Sequence, residues 1–481
     1  MENRVLAGLE PQSVLRFFEE LCRIPHGSGN TRAASDWAVQ FARDRGLRHR
    51  QDALGNVVIW KEGSPGYEDH PTVMLQGHLD MVCVHEPDVA HDFLKDPLDL
   101  YVDGDYIKAR GTSLGGDDGA AVAMAMAVLD DDSLPHPPLE VLFTVDEEVG
   151  MPGAMGLDAS DLKSTCLINM DTEGEGVLTA GCAGGARCDV SLAMPMEEEK
   201  GLACTVSIEG LTGGHSGTEI HKGLANANLL LADCLTTLAY PRLISLHGGE
   251  QDNAIPDRAQ AVILVPAAKA DAMRVNAGYW AAKMKTACAQ RDPGFTFSWT
   301  AAGEEATAAA LSHRDSRRVV EMVTAAPRGV QSMNPDLPDQ VQSSLSLGVL
   351  RLEEGRFSMS FCVRSSVSAE KEEMIEKLQA LAKANDAQCS RHGDYPAWEY
   401  RKMSPLRSTM VRAFRKVYGR EPEVETIHAG LECGLLAEKM PGLDAVSIGP
   451  DLEEIHSTRE RMSISSVERT WRYLLAVLEA L

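Results

Sequence analysis

Five short apolar runs in this chain each end in acidic or histidine side chains. The residues at these endings are His78 with Asp80, Asp117, Glu147 with Glu148, Asp171, and His456. Open α/β sheets build their sites from side chains at the ends of several strands. The pattern predicts an α/β fold, a mixed sheet flanked by helices, whose strand ends bring these carboxylates and imidazoles together.

The chain of 481 residues is too long for one ordinary hydrophobic core, and its pattern of strand-like and helical segments changes along its length. Strand-like runs alternate with helical stretches over residues 1–186, whereas residues 187–396 carry alternating segments together with amphipathic helices such as residues 226–238. A helix-rich pattern returns at residues 397–481, which include His456. We therefore expect a discontinuous first domain, 1–186 and 397–481, and an inserted α+β domain, 187–396.

The amino-acid composition limits the kinds of partner that the protein can bind. The 46 basic and 71 acidic residues give a net charge of −25, which repels nucleic acid and anionic membranes. The longest apolar run, Gly119–Leu129, is short of the roughly 18 residues of a membrane span. Eleven cysteines without a CxxC pair are typical of reduced, buried thiols. The sequence predicts a cytoplasmic protein with no nucleic-acid or membrane partner.

The first motif is a histidine and an aspartate two residues apart. His78 and Asp80 follow the strand-like run Val73–Gln76, and the period of a strand points both to one side. Such a pair suits a metal ligand and the carboxylate that accepts its second ring N–H. An isolated His-x-Asp is more often a solvated strand end, so the motif gains weight only from the others.

The second motif is a pair of acids within a glycine-rich turn. Asp117 and Asp118 lie in the run Gly115–Gly119, directly before a helical stretch. A capping acid explains one such residue. Two acids among three glycines exceed what capping requires, and one carboxylate can bridge two metal ions.

A third motif ends the alternating run Leu139–Val145. On an extended backbone, Glu147 and Glu148 would point to opposite faces, so that one ligates a metal and the other reaches the attacking water. Histidines and carboxylates without thiolates favour Zn²⁺, with Mn²⁺ or Co²⁺ as alternatives. Two such ions sharing a carboxylate predict amide hydrolysis as the reaction class.

The order His-x-Asp, Gly-Asp-Asp-Gly, Glu-Glu, Asp, His resembles the M20 metallopeptidase family, of the two-zinc type, over nearly the whole chain. The strings at residues 24–30, 76–82, 210–217 and 428–434 are similar to bacterial aminoacyl-histidine dipeptidases. The resemblance implies a zinc-peptidase-like catalytic domain with an inserted lid. It also implies a zinc-dependent dipeptidase that acts on unblocked dipeptides, including Xaa-His dipeptides.

The resemblance also implies a role for each motif residue. The implied metal ligands are His78 and Asp171 at one Zn²⁺, Glu148 and His456 at the other, and Asp117 bridging both. Asp80 would orient the first histidine, and Glu147 would be the general base. Relatives often carry asparagine after the bridging acid, and Asp118 at that position leaves the choice between the adjacent acids open. The family also tends to hold that peptide bond cis.

In the inserted region, the resemblance implies that His215 stabilises the oxyanion while Asn253 and Arg364 hold the substrate. The fork of Arg364 suits a peptide carboxylate, although a structural ion pair at a strand end explains it equally well. Glu432 would meet the substrate's free amine.

Two rival functions stay open, a deacylase of N-acyl amino acids on the same scaffold and a metal-free binding protein. A homodimer is also open, with His215 acting within its own chain or across subunits.

Overall fold

The computed structural model describes residues 4–239 and 241–481. The chain forms two compact units. The first runs to Gly181 and resumes over Tyr400–Thr426 and Leu431–Leu481, and the second comprises Cys182–Glu399 and Ile427–Gly430. The sequence placed the divisions at 186/187 and 396/397, and it assigned residues 427–430 to the first domain. That short segment joins the second unit, where Ala183 donates its backbone N–H to the Ile427 carbonyl at 3.0 Å.

The first stretch alternates strands and helices. Its elements are α1 (Gln12–Cys22), α2 (Arg32–Asp44), β1 (Arg48–Gln51), β2 (Val57–Lys61), β3 (Val73–His78), β4 (Leu100–Asp103), β5 (Tyr106–Ala109), α3 (Gly116–Asp130), β6 (Leu139–Thr144), α4 (Pro152–Gly156), β7 (Cys166–Asn169) and β8 (Val177–Cys182). In α1, the apolar face formed by Val14, Phe17, Phe18 and Leu21 is buried, as its helical spacing requires.

The middle stretch is richer in strands. Its elements are β9 (Gly184–Ala193), β10 (Met196–Glu209), β11 (Gly214–His215), α5 (Ala227–Thr236), β12 (Arg242–Gly248), β13 (Ala254–Ile255), β14 (Ala259–Val265), α6 (Ala267–Cys288), β15 (Thr296–Ala301), β16 (Ala306–Leu311), α7 (His313–Ala325), β17 (Gly329–Met333), β18 (Val341–Glu353), β19 (Arg356–Ser365), α8 (Ser368–Ala384) and β20 (Gln388–Tyr395).

The last stretch contributes mainly helices. Its elements are α9 (Pro405–Tyr418), β21 (Glu423–Ile427), α10 (Glu432–Lys439), β22 (Asp444–Ser447), β23 (Leu452–Glu453), β24 (Arg461–Ser463) and α11 (Ile464–Ala480). Short 3-10 turns lie at Glu147–Val149 and Ile220–Lys222. No described helix is both long enough and apolar enough to cross a bilayer.

The first unit contains an eight-stranded mixed sheet in the order β1-β2-β6-β3-β7-β22-β8-β21. Its central strands β6, β3, β7 and β22 are parallel, so their carboxyl ends share one edge. Helix α3 packs against α1 and β3, and α9 packs against α11 and β22. A four-stranded sheet, β23-β24-β5-β4, completes this unit. The expected mixed sheet flanked by helices is confirmed.

The second unit is built on a ten-stranded sheet. The order is β15-β10-β14-β12-β18-β19-β9-β20, with β16 and β17 added on β10 and β18. Helices α5 to α8 supply residues to its separate hydrophobic core. A two-stranded ribbon, β11-β13, carries His215. An antiparallel sheet with helices is the α+β architecture that the alternating segments predicted.

Candidate metal centre

The carboxyl edge of the parallel strands brings His78, Asp117 and Asp171 together. His78 is the last residue of β3 and is buried. Its Nε2 lies 3.1 Å from Asp117 Oδ1 and 3.7 Å from Asp171 Oδ1. Asp171 follows β7, which pairs in parallel with β3. Adjacent parallel strands therefore deliver two of the three side chains.

His456, Glu148 and Asp117 form the second group. His456 Nε2 lies 2.9 Å from Glu148 Oε1 and 3.2 Å from Asp117 Oδ2. His456 adopts a left-handed backbone conformation, with φ of 57°. The two oxygens of Asp117 thus face different imidazoles, which is the geometry a bridging carboxylate requires.

Asp80 links these groups to the glutamates. Its Oδ1 accepts the backbone N–H of Glu147 at 3.0 Å, and its Oδ2 accepts the Ser28 hydroxyl at 2.8 Å. His78 Nδ1 lies 3.0 Å from the Asp80 backbone carbonyl and 3.4 Å from its carboxylate. The orienting contact expected of the Asp80 side chain is therefore shared with its main chain.

The sequence predicts an extended backbone at Glu147 and Glu148, and this prediction is wrong. Strand β6 ends at Thr144, Asp146 turns left-handed at φ 59°, and Glu147–Val149 forms a 3-10 turn. A 3-10 turn therefore carries the two glutamates in place of an extended strand, and a carboxylate oxygen of each lies within 4.8 Å of the other and of a ring nitrogen of His78. Glu148 reaches His456, as described above.

Asp118 lies beside Asp117 but has a different environment. The peptide bond that joins them is cis. Asp118 Oδ2 accepts the backbone N–H of His78 at 3.1 Å. Gly77 permits this approach, since a Cβ there would lie 2.6 Å from the same oxygen. The His78 and His456 contacts favour Asp117 as the bridging acid.

Glu460 is a further residue of this centre that the sequence did not single out. It is buried and accepts backbone N–H groups from Leu114, Gly115, Gly116 and Asp117 at 2.7 to 3.4 Å. It therefore holds the turn that carries Asp117. A glutamate in a charged stretch gave no local signal for this role.

The carboxylates perturb one another's protonation. Burial raises the pKa of Asp171 to about 7 against the opposing effect of His78. Burial also raises the pKa of Glu147 well above its usual range, and nearby carboxylates add to it. Burial would raise the pKa of Asp117 as well, but hydrogen bonds from His456 and His78 lower it below its ordinary value.

The donor set fits divalent cations. Among the described residues, three clusters have ligand atoms within 4.8 Å of one another, and they are His78 with Asp118 and Asp171, His78 with Glu147 and Glu148, and Asp117 with Glu148 and His456. Several carboxylates gathered this closely repel each other unless positive charge is supplied. Imidazole and carboxylate ligands suit zinc and related ions.

A second polar cluster lies in the second unit. Arg364, on β19, is buried, and its Nη1 donates to the Tyr395 hydroxyl at 3.1 Å. Its Nη2 lies 3.4 Å from His215 Nε2. Nε is buried without a partner, and within residues 4–239 and 241–481 the guanidinium has no carboxylate ion pair. The structural ion pair considered for Arg364 is therefore not present.

His428 belongs to the same cluster, although the sequence did not single it out as a site residue. Its Nε2 lies 2.7 Å from the Ser344 hydroxyl, and its buried Nδ1 has no partner within residues 4–239 and 241–481. Ser344 is the cross-strand neighbour of Arg364. Burial lowers the pKa of His428 to about 3, and the charges of Arg364 and His215 contribute.

The other two residues expected to contact substrate lie in different units. Asn253 precedes β13, and its carbonyl accepts the backbone N–H of Ser216, next to His215. Glu432 begins α10 in the first unit and is completely buried. Burial raises its pKa to about 7.

A parallel sheet edge lined with carboxylates and imidazoles defines the class of this protein as a metallohydrolase. Residues 74–480 match Peptidase family M20/M25/M40. The chain belongs to this family and is a hydrolase that acts on peptide bonds. The family predicted from the motif order is confirmed.

Relatives resemble the chain over nearly its full length. It is 36% identical to the cytosol non-specific dipeptidase of Escherichia coli K12, with 98% of each sequence covered. The crystal structure of an aminoacylhistidine dipeptidase from Vibrio alginolyticus matches with a TM-score of 0.92 and 34% identity, covering 100% of this chain and 98% of that one. The aminopeptidase PepT of Bacillus cereus, with a TM-score of 0.55, 16% identity and coverage of 98% and 99%, shows the shared fold alone.

Proposed function

We propose that the protein is a cytoplasmic, metal-dependent dipeptidase that cleaves unblocked dipeptides, Xaa-His dipeptides among them. The observation that carries this proposal is the convergence of His78, Asp117 and Asp171 with Glu148 and His456. The names of the Escherichia coli and Vibrio alginolyticus relatives support the substrate class and, for the first, the compartment.

Two Zn²⁺ ions are the proposed complement, with Mn²⁺ or Co²⁺ as substitutes. His78 and Asp171 would hold one ion, Glu148 and His456 the other, and Asp117 both. When bound, such ions polarise a carbonyl and lower the pKa of water. His78 and Asp171 lie at the carboxyl edge of the parallel strands, which is where open α/β sheets bind their ligands.

Glu147 is the proposed general base. Its carboxylate would take a proton from the attacking water and deliver it to the leaving nitrogen. A base works best when its pKa lies near the working pH, and burial moves the pKa of Glu147 upward in that direction. Asp80 would orient both partners, because it contacts the ring of His78 and the backbone of Glu147.

Arg364, His215 and Asn253 are proposed to recognise the substrate. The guanidinium of Arg364 is buried, and in the part of the chain that the structure describes its Nε is unpaired and it has no carboxylate partner. Such an arrangement is unfavourable unless a ligand supplies an anion. The C-terminal carboxylate of a dipeptide has the charge and shape for the fork of Arg364. His215 would donate a hydrogen bond to the developing oxyanion. The second unit would then act as the lid.

The test is a panel of free and N-acetylated dipeptides, assayed after loading with Zn²⁺, Mn²⁺ or Co²⁺ and after chelation. We expect hydrolysis of free dipeptides that chelation abolishes and metal restores. Cleavage of the acetylated set alone would identify a deacylase. A protein that retains no metal and stays inert after metal addition would instead be a binding protein.

A homodimer is a further possibility that complementation tests. Mixing Glu147→Gln protein with His215→Ala protein restores activity only if one subunit's His215 serves the other subunit's metal centre. Sedimentation of the wild-type protein gives the oligomeric state independently.

A further inference from the structure

A row of buried polar side chains lies beneath the candidate metal ligands. Gln76 precedes His78 by two residues on β3, and Asn169 precedes Asp171 by two residues at the end of β7. Gln76 and Asn169 are register partners in the parallel sheet. Both are fully buried, where most neighbours are apolar. Polar residues at such positions need partners, and each here has one.

The hydrogen bonds of this row run in one direction. The backbone N–H of Asp171 donates to Asn169 Oδ1 at 3.4 Å, and Asn169 Nδ2 donates to Gln76 Oε1 at 2.6 Å. Gln76 Nε2 in turn donates to Glu432 Oε2 at 2.6 Å. The Thr144 hydroxyl, at the end of β6, donates to the same oxygen at 2.6 Å. Glu432 is therefore the terminal acceptor for donors on strands β3 and β6.

We propose that Glu432 is a positioning residue that sets the spacing of the metal-ligand strands. It joins β3 and β6 directly and β7 through Gln76. These three strands lead to His78, the Glu147 turn and Asp171. The inference rests on the metal dependence of the proposed function. It adds an explanation of how the arrangement of the metal ligands is maintained.

The alternative role of Glu432 is contact with the free amine of the substrate. Its Oε2 already accepts from two donors, while its buried Oε1 has no partner among the described residues. A salt bridge to an amine depends on the negative charge, whereas the positioning role depends only on an acceptor oxygen. Glutamine keeps an acceptor and removes the charge, so it separates the two roles.

The experiment compares Glu432→Gln and Glu432→Ala with the wild type. Metal-free proteins are titrated with Co²⁺ and Zn²⁺, and the Co²⁺ absorption spectrum and dissociation constants are recorded. We expect Glu432→Ala to bind metal about 10-fold more weakly with an altered spectrum, as for residues that orient ligands. Glu432→Gln should restore affinity to within about threefold of the wild type.

Two further variants test whether weaker metal binding results from misfolding. Thr144→Val removes one donor to Glu432 with little change of shape, and it should weaken Co²⁺ binding in the same direction. Glu140→Ala is the matched control, because Glu140 is equally buried on β6 but serves Lys163 and Ser164. It should lower the unfolding temperature without changing Co²⁺ affinity.

The outcomes separate the inference from the proposed function. If the wild type binds neither Co²⁺ nor Zn²⁺, the proposed function fails. If the wild type binds metal and Glu432→Ala and Thr144→Val bind it equally well, the positioning role fails alone. Equal weakening by Glu432→Gln and Glu432→Ala overturns the acceptor role. A raised KM of Glu432→Gln for free dipeptides, with metal affinity unchanged in both Glu432→Gln and Glu432→Ala, overturns the positioning role and assigns Glu432 to the amine.

Discussion

The carboxylate of Glu460 accepts the backbone N–H of Asp117, 343 positions earlier in the chain. It also accepts the N–H groups of the three residues before Asp117. These residues form the turn at the start of α3, which the glycines alone would leave mobile. The final stretch of the chain therefore fixes the backbone of the proposed bridging ligand.

Replacing Glu460 by alanine should destabilise the metal-free protein by about 3 kcal/mol, because it leaves buried N–H donors without their charged acceptor. Urea denaturation gives this difference in the free energy of unfolding. Glu453→Ala is the control, since Glu453 forms a half-exposed pair with Arg461, and ion pairs that water can reach contribute little to stability. Similar losses in both variants would contradict the role of Glu460.

Glu147→Gln should lower kcat by about 10²-fold or more, because glutamine cannot accept the proton of the attacking water. Metal content, measured by mass spectrometry, should stay at the wild-type level. Glu62→Gln, at an exposed position, controls for loss of one negative charge. A Glu147→Gln protein that keeps more than about a tenth of wild-type kcat would exclude this residue as the base.

The convergence of His78 and Asp171 could be predicted because both follow short apolar runs. Buried parallel strands produce such runs, and their carboxyl ends necessarily share an edge. Period and chain order were therefore sufficient to place these side chains near one another, even though Asp171 comes 93 positions later.

Other parts of the centre depend on contacts that local sequence does not encode. Glu460 lies in a charged stretch typical of a solvated surface, and only the folded chain shows that it is buried. The turn at Glu147 depends on a left-handed Asp146, for which aspartate gives only a weak preference. His428 joins the second unit through tertiary pairing and not through its place in the chain.

Arg364→Lys should raise the KM for dipeptides about tenfold with a smaller effect on kcat, because an ammonium cannot bind a carboxylate in the two-pronged manner of a guanidinium. Initial rates over a range of substrate concentrations separate the two constants. Arg391→Lys is the control, as Arg391 pairs with Glu372 near the surface of the same unit. An unchanged KM in Arg364→Lys would remove Arg364 from substrate binding.

His428 should make stability depend on pH. Its pKa is about 3 in the folded protein, lowered by burial from 6.5, so the unfolded chain binds a proton that the folded one does not. The contribution of the buried, neutral His428 to the free energy of unfolding is therefore fully present above pH 6.5, and it is lost as the pH falls toward 3. Between pH 7 and pH 5 the loss is about 2 kcal/mol.

His428→Gln removes this titration and keeps a group that can bond to Ser344. Urea denaturation at pH 7 and pH 5 should show a fall in the free energy of unfolding that is about 2 kcal/mol smaller in the variant. Identical falls in both proteins would mean that His428 becomes protonated in the folded state.

Gly217 allows the segments that carry Arg364, His215 and His428 to pack closely together. A Cβ there would lie 2.4 Å from the His428 carbonyl oxygen and 3.0 Å from both Arg364 Nε and His215 Cε1. The carbonyl belongs to the backbone and cannot rotate away, so Gly217→Ala must displace one of the segments. We expect KM to rise about tenfold while metal affinity is unchanged, since Arg364 and His215 are the groups proposed to orient the substrate. Gly278→Ala is the matched control, because Gly278 lies in α6 with open space around it. That variant should be more stable by about 0.5 to 1 kcal/mol with wild-type kinetics. Wild-type KM in both variants would show that the contact around Gly217 does not position the substrate.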